Sequence, residues 1–315
     1  MKSFPRKLIT EWRRLGLPID GGTIIVACSG GADSTALLLA VKELTDRKKL
    51  RHSIVAAHFD HRLRKDSGED AAFVRDLCED RGIDFVLGSS RVAKRGNLEE
   101  NARNARYAFL AKTAKKHGAF AVLTGHTIND QAETFLLNLV RGSGPDGLTA
   151  MPTARPLAKC EAELVRPLLR IATREETVAY CGENDVRFRS DPMNEDARFA
   201  RVRIRSEVLP LLSELNPRIV QTLARTAEQF AQMPRIEPPG EKLRSSELLK
   251  LNENERLALI RAWIVARQGS SRRLTFAHIN AVDKLLTSTK SGRRVELPGK
   301  AVVERSGGWL AYRTE

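Results

Sequence analysis

The chain has 315 residues, 42% hydrophobic and 29% charged, an ordinary globular composition with enough length for a sizeable core. Lys and Arg outnumber Asp and Glu by 53 to 39, a net charge of +14. Such a surplus favours polyanions, because each phosphate contact releases condensed counterions, although a solvated basic surface has the same composition. Cys28, Cys78, Cys160 and Cys181 make no C-x-x-C pair, which argues against a disulfide framework or zinc site and for a reducing interior. The amino-terminal MKSFPRKLITEWRRLG lacks an apolar run of signal-peptide length, and no apolar stretch of about 18 residues follows. A cytoplasmic protein without membrane contact is expected.

Thr23–Cys28 (TIIVAC) is a short apolar, β-branched run of the kind that forms a buried parallel strand. A glycine-rich loop follows, then Thr35–Leu44 with helical spacing of Leu and Ala. Ser53–His58 reads as a second strand and Ala71–Asp80 as its helix, and Asp84–Gly88 as a third strand. Leu98–His117 is helical and stops at Gly118; Ala119–Thr124 is a fourth strand, and Asn129–Arg141 the helix after it. This alternation predicts an α/β fold with a doubly wound parallel sheet. Beyond Pro167 the pattern changes. Thr173–Glu183 and Phe199–Leu212 look helical, and helices dominate from Asn216. Pro234, Pro238, Pro239 and Gly240 mark a loop, and Arg293–Tyr312 carries short strands between turns. Two domains are expected: a catalytic one over 1–215 and a smaller, mainly helical one over 216–315.

Four regions carry chemistry. In Ser29-Gly30-Gly31-Ala32-Asp33-Ser34, after the first strand, two glycines let the backbone turn and present N–H groups to an anion. Ser34 and Thr35 then open a helix whose dipole favours phosphate. Asp33 would repel phosphate unless a cation lay between, so its natural role is Mg²⁺ coordination; the bland alternative is a tight turn with Ser or Asp as a cap. The loop lacks the lysine of the common P-loop and is similar to the SGGxDS signature of PP-loop ATP pyrophosphatases. His58-Phe59-Asp60-His61-Arg62-Leu63-Arg64 closes the second strand, at the edge where open sheets bind ligands. Its His58 and Asp60 read as polar lining near the nucleotide rather than a metal site. Glu99, Arg103 and Arg106 share a helix face, where surface salt bridges are the bland reading. His126, Asp130 and Glu133 lie in the stretch Thr124–Thr134, in which Asp130 could bind metal, orient a reacting group or merely cap a helix. Gly142-Ser143-Gly144-Pro145-Asp146-Gly147 formally matches a dinucleotide fingerprint but follows a helix, which leaves a glycine-rich substrate loop as the credible role.

Together these motifs resemble the tRNA(Ile)-lysidine synthetase family. The resemblance rests on the ATP loop, on H-x-D-H-x-L-R at His58–Arg64, on A-R-x-x-R-Y ending at Tyr107, and on G-H-x-x-x-D-Q-x-E-T at Gly125–Thr134. R-G-x-G-x-x-G-L at Arg141–Leu148, Arg166-Pro167-Leu168-Leu169, Asp191-Pro192-Met193-Asn194 and Arg201-Val202-Arg203-Ile204-Arg205 extend it to about residue 217. Departures are Thr127 where a second His is frequent, Asn129 for Asp, Met193 for a small polar residue and Val202 for Asn.

The resemblance implies a ligase that joins lysine to C2 of the wobble cytidine of an isoleucine tRNA with a CAU anticodon. ATP first adenylates the base oxygen; the neutral lysine amine then attacks and AMP leaves, a carboxylate accepting the amine's proton. It places Asp33, Arg106 and Asp130 at the reacting centre, with Asp33 and Asp130 on Mg²⁺ and Arg106 offsetting charge on the phosphate. ATP would lie on Ser29–Ser34, His58, Asp60 and His126, and a homodimer is implied. Arg198, Arg201 and Arg205 share a helical face that could track the tRNA backbone. Arg261, Arg267, Arg272, Arg273, Arg293 and Arg294 add charge to a carboxyl-terminal domain suited to gripping a tRNA stem. A tRNA thiolase of the same superfamily, a small-molecule synthetase and an inactive nucleic-acid-binding module are the competing readings. The lack of paired cysteines, the basic appendage, and the presence of Asp33, Arg106 and Asp130 argue against them in turn.

Overall fold

A computed structural model describes residues 2–62, 67–90, 98–189, 198–234, 236–238, 240–269, 273–288 and 292–314. Helix α1 (Ser3–Arg14) opens the chain, where no element is expected from the sequence; it buries Phe4, Leu8, Ile9 and Trp12 on one stripe. The order continues β1 (Asp20–Ala27), α2 (Ala32–Asp46), β2 (Arg51–Asp60), α3 (Ser67–Arg81), β3 (Asp84–Ser89), α4 (Leu98–Lys116), β4 (Ala119–Thr124), α5 (Ile128–Val140) and the single turn α6 (Pro145–Leu148). Two short strands follow, β5 (Ala154–Pro156) and β6 (Glu163–Val165), then α7 (Arg174–Gly182), α8 (Ala200–Arg203), a π-helical turn over Ile204–Val208, α9 (Leu209–Leu215) and α10 (Ile219–Gln232).

The first sheet has the order β3-β2-β1-β4-β6-β5. Its pairs are parallel except β5 with β6. Successive residues of β1 face opposite ways, as the two-residue period requires. Ile24 and Val26 join the core formed with α1, α2, α3 and α7, whereas Ile25 joins the core formed with α4. Both faces are therefore covered, which explains why β1 reads as a continuous apolar run. The chain runs outward from β1 to β2 and β3, then returns to β4 on the other side of β1. The strand order therefore reverses between β1 and β4, and in open sheets the carboxyl edge at such a switch point is where ligands bind.

The chain forms two compact units: Met1–Leu136 with Met151–Arg225, and Leu137–Ala150 with Thr226–Glu315. The second unit adds β7 (Lys242–Arg244), α11 (Ser245–Leu248), α12 (Glu253–Gln268), α13 (Phe276–Asp283), β8 (Arg294–Leu297), β9 (Ala301–Ser306) and β10 (Trp309–Thr314). Its antiparallel sheet has the order β7-β10-β9-β8. The strands anticipated in Arg293–Tyr312 are present, and β7 is one that nothing in the sequence signals. Ile260, Trp263 and Ile264 of α12 form its core with Val303 and Leu310. Among the described residues no helix is long and apolar enough to cross a membrane. Leu63, Arg64, Asn97, Asp191–Asn194, Pro239 and Arg272 lie outside the described residues, and the side chain of Glu99 is likewise not described.

Candidate active site

The loop Ser29–Ser34 follows β1 at this switch point. Gly30 takes φ +88°, a conformation that only glycine adopts without strain. The turn is stitched internally: the Ser29 N–H donates to Ser34 Oγ (3.0 Å), and Ser34 Oγ donates to the Gly31 carbonyl (3.1 Å). The Arg189 N–H donates to the Gly30 carbonyl at 2.9 Å, fixing the loop from outside. Gly31 is the N-cap of α2 and carries no side-chain cap, so Ala32, Asp33 and Ser34 begin a helix whose first N–H groups and dipole suit an anion. Gly125, just beyond β4, passes so close that a Cβ there would sit 2.8 Å from the Asp33 carbonyl and the Ser34 nitrogen. This contact sets the starts of α2 and α5 side by side.

Beside the loop, three carboxylates meet three guanidinium groups. Asp130 Oδ2 accepts from the Thr127 N–H (2.9 Å) and hydroxyl (3.1 Å), which is the capping role. Its Oδ1 accepts from Arg201 Nη2 at 2.8 Å and lies 3.7 Å from Arg174 Nη2. Glu133, fully buried, accepts from Arg205 Nε (2.6 Å), Arg201 Nε (2.7 Å) and Arg174 Nη1 (3.4 Å). Asp33 accepts from the Thr177 hydroxyl, and its other oxygen is 3.5 Å from Arg174 Nε. Arg174 thus touches all three acids, and the six charges cancel.

Burial opposes ionisation throughout the cluster, and the partners decide the outcome. For Asp130 and Glu133 burial is outweighed, by Arg201 above all for the first and by the Arg205 hydrogen bond and Arg201 for the second, so both stay below the usual carboxylate range. For Asp33 burial wins over Thr177 and Arg174, helped by the charge of Asp130, and its pKa is raised. His126 is driven down by burial, with Arg166, Arg106 and Arg201 acting in the same sense against Asp130. Burial thus favours the neutral ring, whose Nδ1 is 2.9 Å from the Thr124 hydroxyl.

The remaining anticipated residues are placed as follows. His58 is buried with Nδ1 2.9 Å from the Cys28 carbonyl, under the ATP loop, and burial lowers its pKa. Asp60 accepts from the Arg62 N–H at 2.7 Å and so closes a turn at the end of β2. Arg106 lies on α4 against the ring of Tyr107. The shared face expected of Arg198, Arg201 and Arg205 does not meet a single environment. Arg198 is exposed, but Arg201 and Arg205 turn inward onto Asp130 and Glu133. Helical spacing says that two residues share a face and not what that face meets. Arg174 and Thr177 reach Asp33 from α7 with no motif to mark them, and Asn129, seen in the sequence only as a departure from a motif, accepts from the Arg174 N–H. Arg174 stands at the first position of α7 behind the Thr173/Glu176 capping box, a readable helix start in which nothing marks the arginine.

Asp33 and Asp130 offer hard oxygen donors of the type a divalent cation takes, and their mutual repulsion is relieved by a positive charge between them. Among the described residues no group of three or more His, Cys, Asp or Glu side chains is arranged as a metal site; the positive charge comes from Arg174.

A mostly parallel sheet covered on both faces, a glycine-turned anion loop at its switch point and an acidic residue inside that loop are the features of a PP-loop ATP-utilising protein. The chain matches the PP-loop domain family over residues 6–212 and the TilS substrate binding domain over residues 243–311. With the relatives that follow, these matches show that it belongs to the tRNA(Ile)-lysidine synthase family. Proteins of that name include one from Nostoc sp., 34% identical over 92% of this chain and 91% of the relative, and one from Salinispora arenicola, 38% identical over 92% and 90%. A Geobacter sulfurreducens relative is 36% identical over 94% of this chain, which spans 66% of that longer protein. A U34-tRNA thiolase from Methanococcus maripaludis is similar in fold, with TM-score 0.60 and 14% identity over 74% of this chain and 80% of that one.

Proposed function

We propose that the protein joins lysine to C2 of the wobble cytidine in an isoleucine tRNA with a CAU anticodon, through an adenylated cytidine, releasing AMP and pyrophosphate. The observation that carries this reading is the side-by-side placement of the ATP loop and the Asp33–Asp130–Glu133 charge cluster, on a chain related to lysidine synthases over nearly its whole length. Adenylation turns a poor leaving oxygen into a good one, and the attacking amine must shed its proton. Asp130, ionised beside Arg201 at the edge of the buried cluster, is suited to attract a cationic amine. The uncapped start of α2 holds phosphate oxygens, and Arg106 offsets charge as the pyrophosphate departs. Mg²⁺ would be held by Asp33 and Asp130, supplying charge neutralisation on the phosphates.

The second unit, with its match to a substrate binding domain, would grip the tRNA body. A homodimer and a cytoplasmic setting belong to the same reading, and sedimentation tests the first. The deciding experiment incubates protein, ATP, Mg²⁺ and labelled lysine with unmodified isoleucine tRNA. Label in the tRNA, dependent on ATP and on the wobble cytidine and matched by AMP, is the expected result. AMP release without label would redirect the reading to another nucleophile, sulfur first.

A further inference from the structure

Tyr107 on α4 is the centre of a second charged cluster, with the opposite balance. The Arg155, Arg103 and Arg106 guanidinium carbons lie 5.0, 5.1 and 5.5 Å from its ring centroid, all within cation–π range. Arg166, 1% exposed, acts on the Tyr107 hydroxyl as a fourth charge. Among the described residues none of these four arginines is paired with a carboxylate. Arg155 and Arg166 donate to the Pro156 and Pro152 carbonyls (3.1 and 2.7 Å). The Tyr107 hydroxyl faces the Arg155 and Arg166 guanidinium groups, but neither it nor Arg166 Nε has a partner in good hydrogen-bond geometry. Burial opposes ionisation of Tyr107, yet the surrounding charges bring its pKa down to about 8.

A cluster of cations with unmet donors calls for an anion. From this geometry we infer that Arg103, Arg155, Arg166 and the Tyr107 hydroxyl form a subsite for a backbone phosphodiester of the substrate RNA, next to the nucleotide that reacts. The Tyr107 ring already carries guanidinium groups and is not free to stack a base, so the site takes phosphate rather than nucleobase. Its position favours RNA over ATP. Arg155 is on β5, the edge strand, and Arg166 follows β6; in the order β1-β4-β6-β5 at about 4.8 Å per strand, this edge lies about 14 Å from β1. The ATP phosphates have their own loop beyond β1. A polynucleotide reaching His126 and Asp130 extends past the reacting base, and Arg106 and Arg166 already act on His126 from this side.

The inference rests on the RNA-modifying reading, and its test uses neither lysine nor turnover. Retention of unmodified isoleucine tRNA on filters is measured from about 50 to 300 mM KCl for wild type, Arg103→Gln, Arg155→Gln, Arg155→Lys and Tyr107→Phe, with ATP binding by equilibrium dialysis alongside. The glutamine variants are expected to bind RNA about tenfold more weakly at low salt, with the salt slope reduced by about one. Arg155→Lys should keep the slope while losing part of the affinity, Tyr107→Phe should bind about threefold more weakly at unchanged slope, and ATP affinity should not move. Unchanged RNA binding in the folded glutamine variants overturns the subsite, as does weakened ATP binding with RNA binding intact, which would give the anion to the nucleotide. Should Arg155→Gln fail to fold, exposed Arg103 and the near-isosteric Tyr107→Phe decide. Weakened RNA binding together with a wild type that forms no lysidine would keep the subsite and sink the functional reading; the converse would keep that reading and sink the subsite.

Discussion

Asn129 Oδ1 accepts a hydrogen bond of 2.9 Å from the backbone N–H of Arg174. One side chain at the start of α5 thereby caps the start of α7 and holds Arg174 among the three acids. An acceptor is what the contact needs, and Asp would supply it as well as Asn. Asn129→Ala should lower stability by about 1 kcal/mol and reduce turnover about tenfold, whereas Asn129→Asp should keep both near wild type. Urea melts and initial rates check this; equal effects from both variants would remove the cap from the argument.

Arg174→Ala removes the cation shared by Asp33, Asp130 and Glu133. Breaking a buried charge network from one side costs about 3–5 kcal/mol, and Arg201 and Arg205 remain, so the lower end applies. Wild-type Asp130 and Glu133 have depressed pKa values, so their contribution to stability is complete above the normal carboxylate range and is lost as pH falls through the depressed values. In Arg174→Ala that depression shrinks. The stability gap between wild type and variant should therefore be widest near pH 7 and narrow toward pH 3. A gap independent of pH would show that Arg174 acts by packing alone.

Asp33 and Asp130 should separate stability from activity. The Asp33 pKa is raised by burial, so its charge is a burden in the folded protein near pH 7. Asp33→Asn is expected to abolish AMP formation while leaving the melting temperature equal or higher. Asp130→Asn should impair turnover and also lower the melting temperature, since it strips Arg201 of one of its two charged partners. Matching losses of stability in both variants would contradict the assignment.

Gly125→Ala inserts a Cβ 2.8 Å from the backbone of Asp33 and Ser34. The start of α2 has to shift, with an overpacking penalty of about 1–3 kcal/mol. The apparent KM for ATP should rise at least tenfold, more than that for lysine. An unchanged KM for ATP would separate the glycine contact from nucleotide binding.

Of the three tyrosines, Tyr180 and Tyr312 have pKa values raised by burial, with Glu43 adding to the effect at Tyr180. Tyr107 alone is lowered, to about 8. Absorbance near 295 nm should report one tyrosinate forming around pH 8 that is absent in Tyr107→Phe. The stability this group contributes is present above the normal tyrosine pKa near 10 and is lost as pH falls through about 8. A bound phosphodiester should push the transition upward; titration of all three above pH 10 would contradict the cluster's electrostatics.

The strands β1 to β4 are legible because a sheet covered on both faces demands uninterrupted apolar runs. The ATP loop is legible because few sequences turn from strand to helix through two glycines and an aspartate. Helix α1 is missed although Phe4, Leu8, Ile9 and Trp12 repeat at helical spacing; a short segment rich in Lys and Arg does not look apolar until its stripe is counted. Strands β5 and β6 are three residues each, too short for a period. Arg174, Arg201 and Arg205 escape because their roles arise from helices distant in sequence meeting at one buried glutamate. No local pattern encodes such a meeting.

The segment Leu137–Ala150 belongs with the carboxyl-terminal unit although it is encoded between two strands of the first sheet. Arg261 Nε donates to Asp146 Oδ2 at 2.9 Å, and the same guanidinium covers Gly144. A gene cut after the codon for Arg225 would leave that segment behind, stripped of the helix it packs on. A minimal catalytic fragment has to be engineered at two places in the reading frame, with the internal excursion replaced by a short linker.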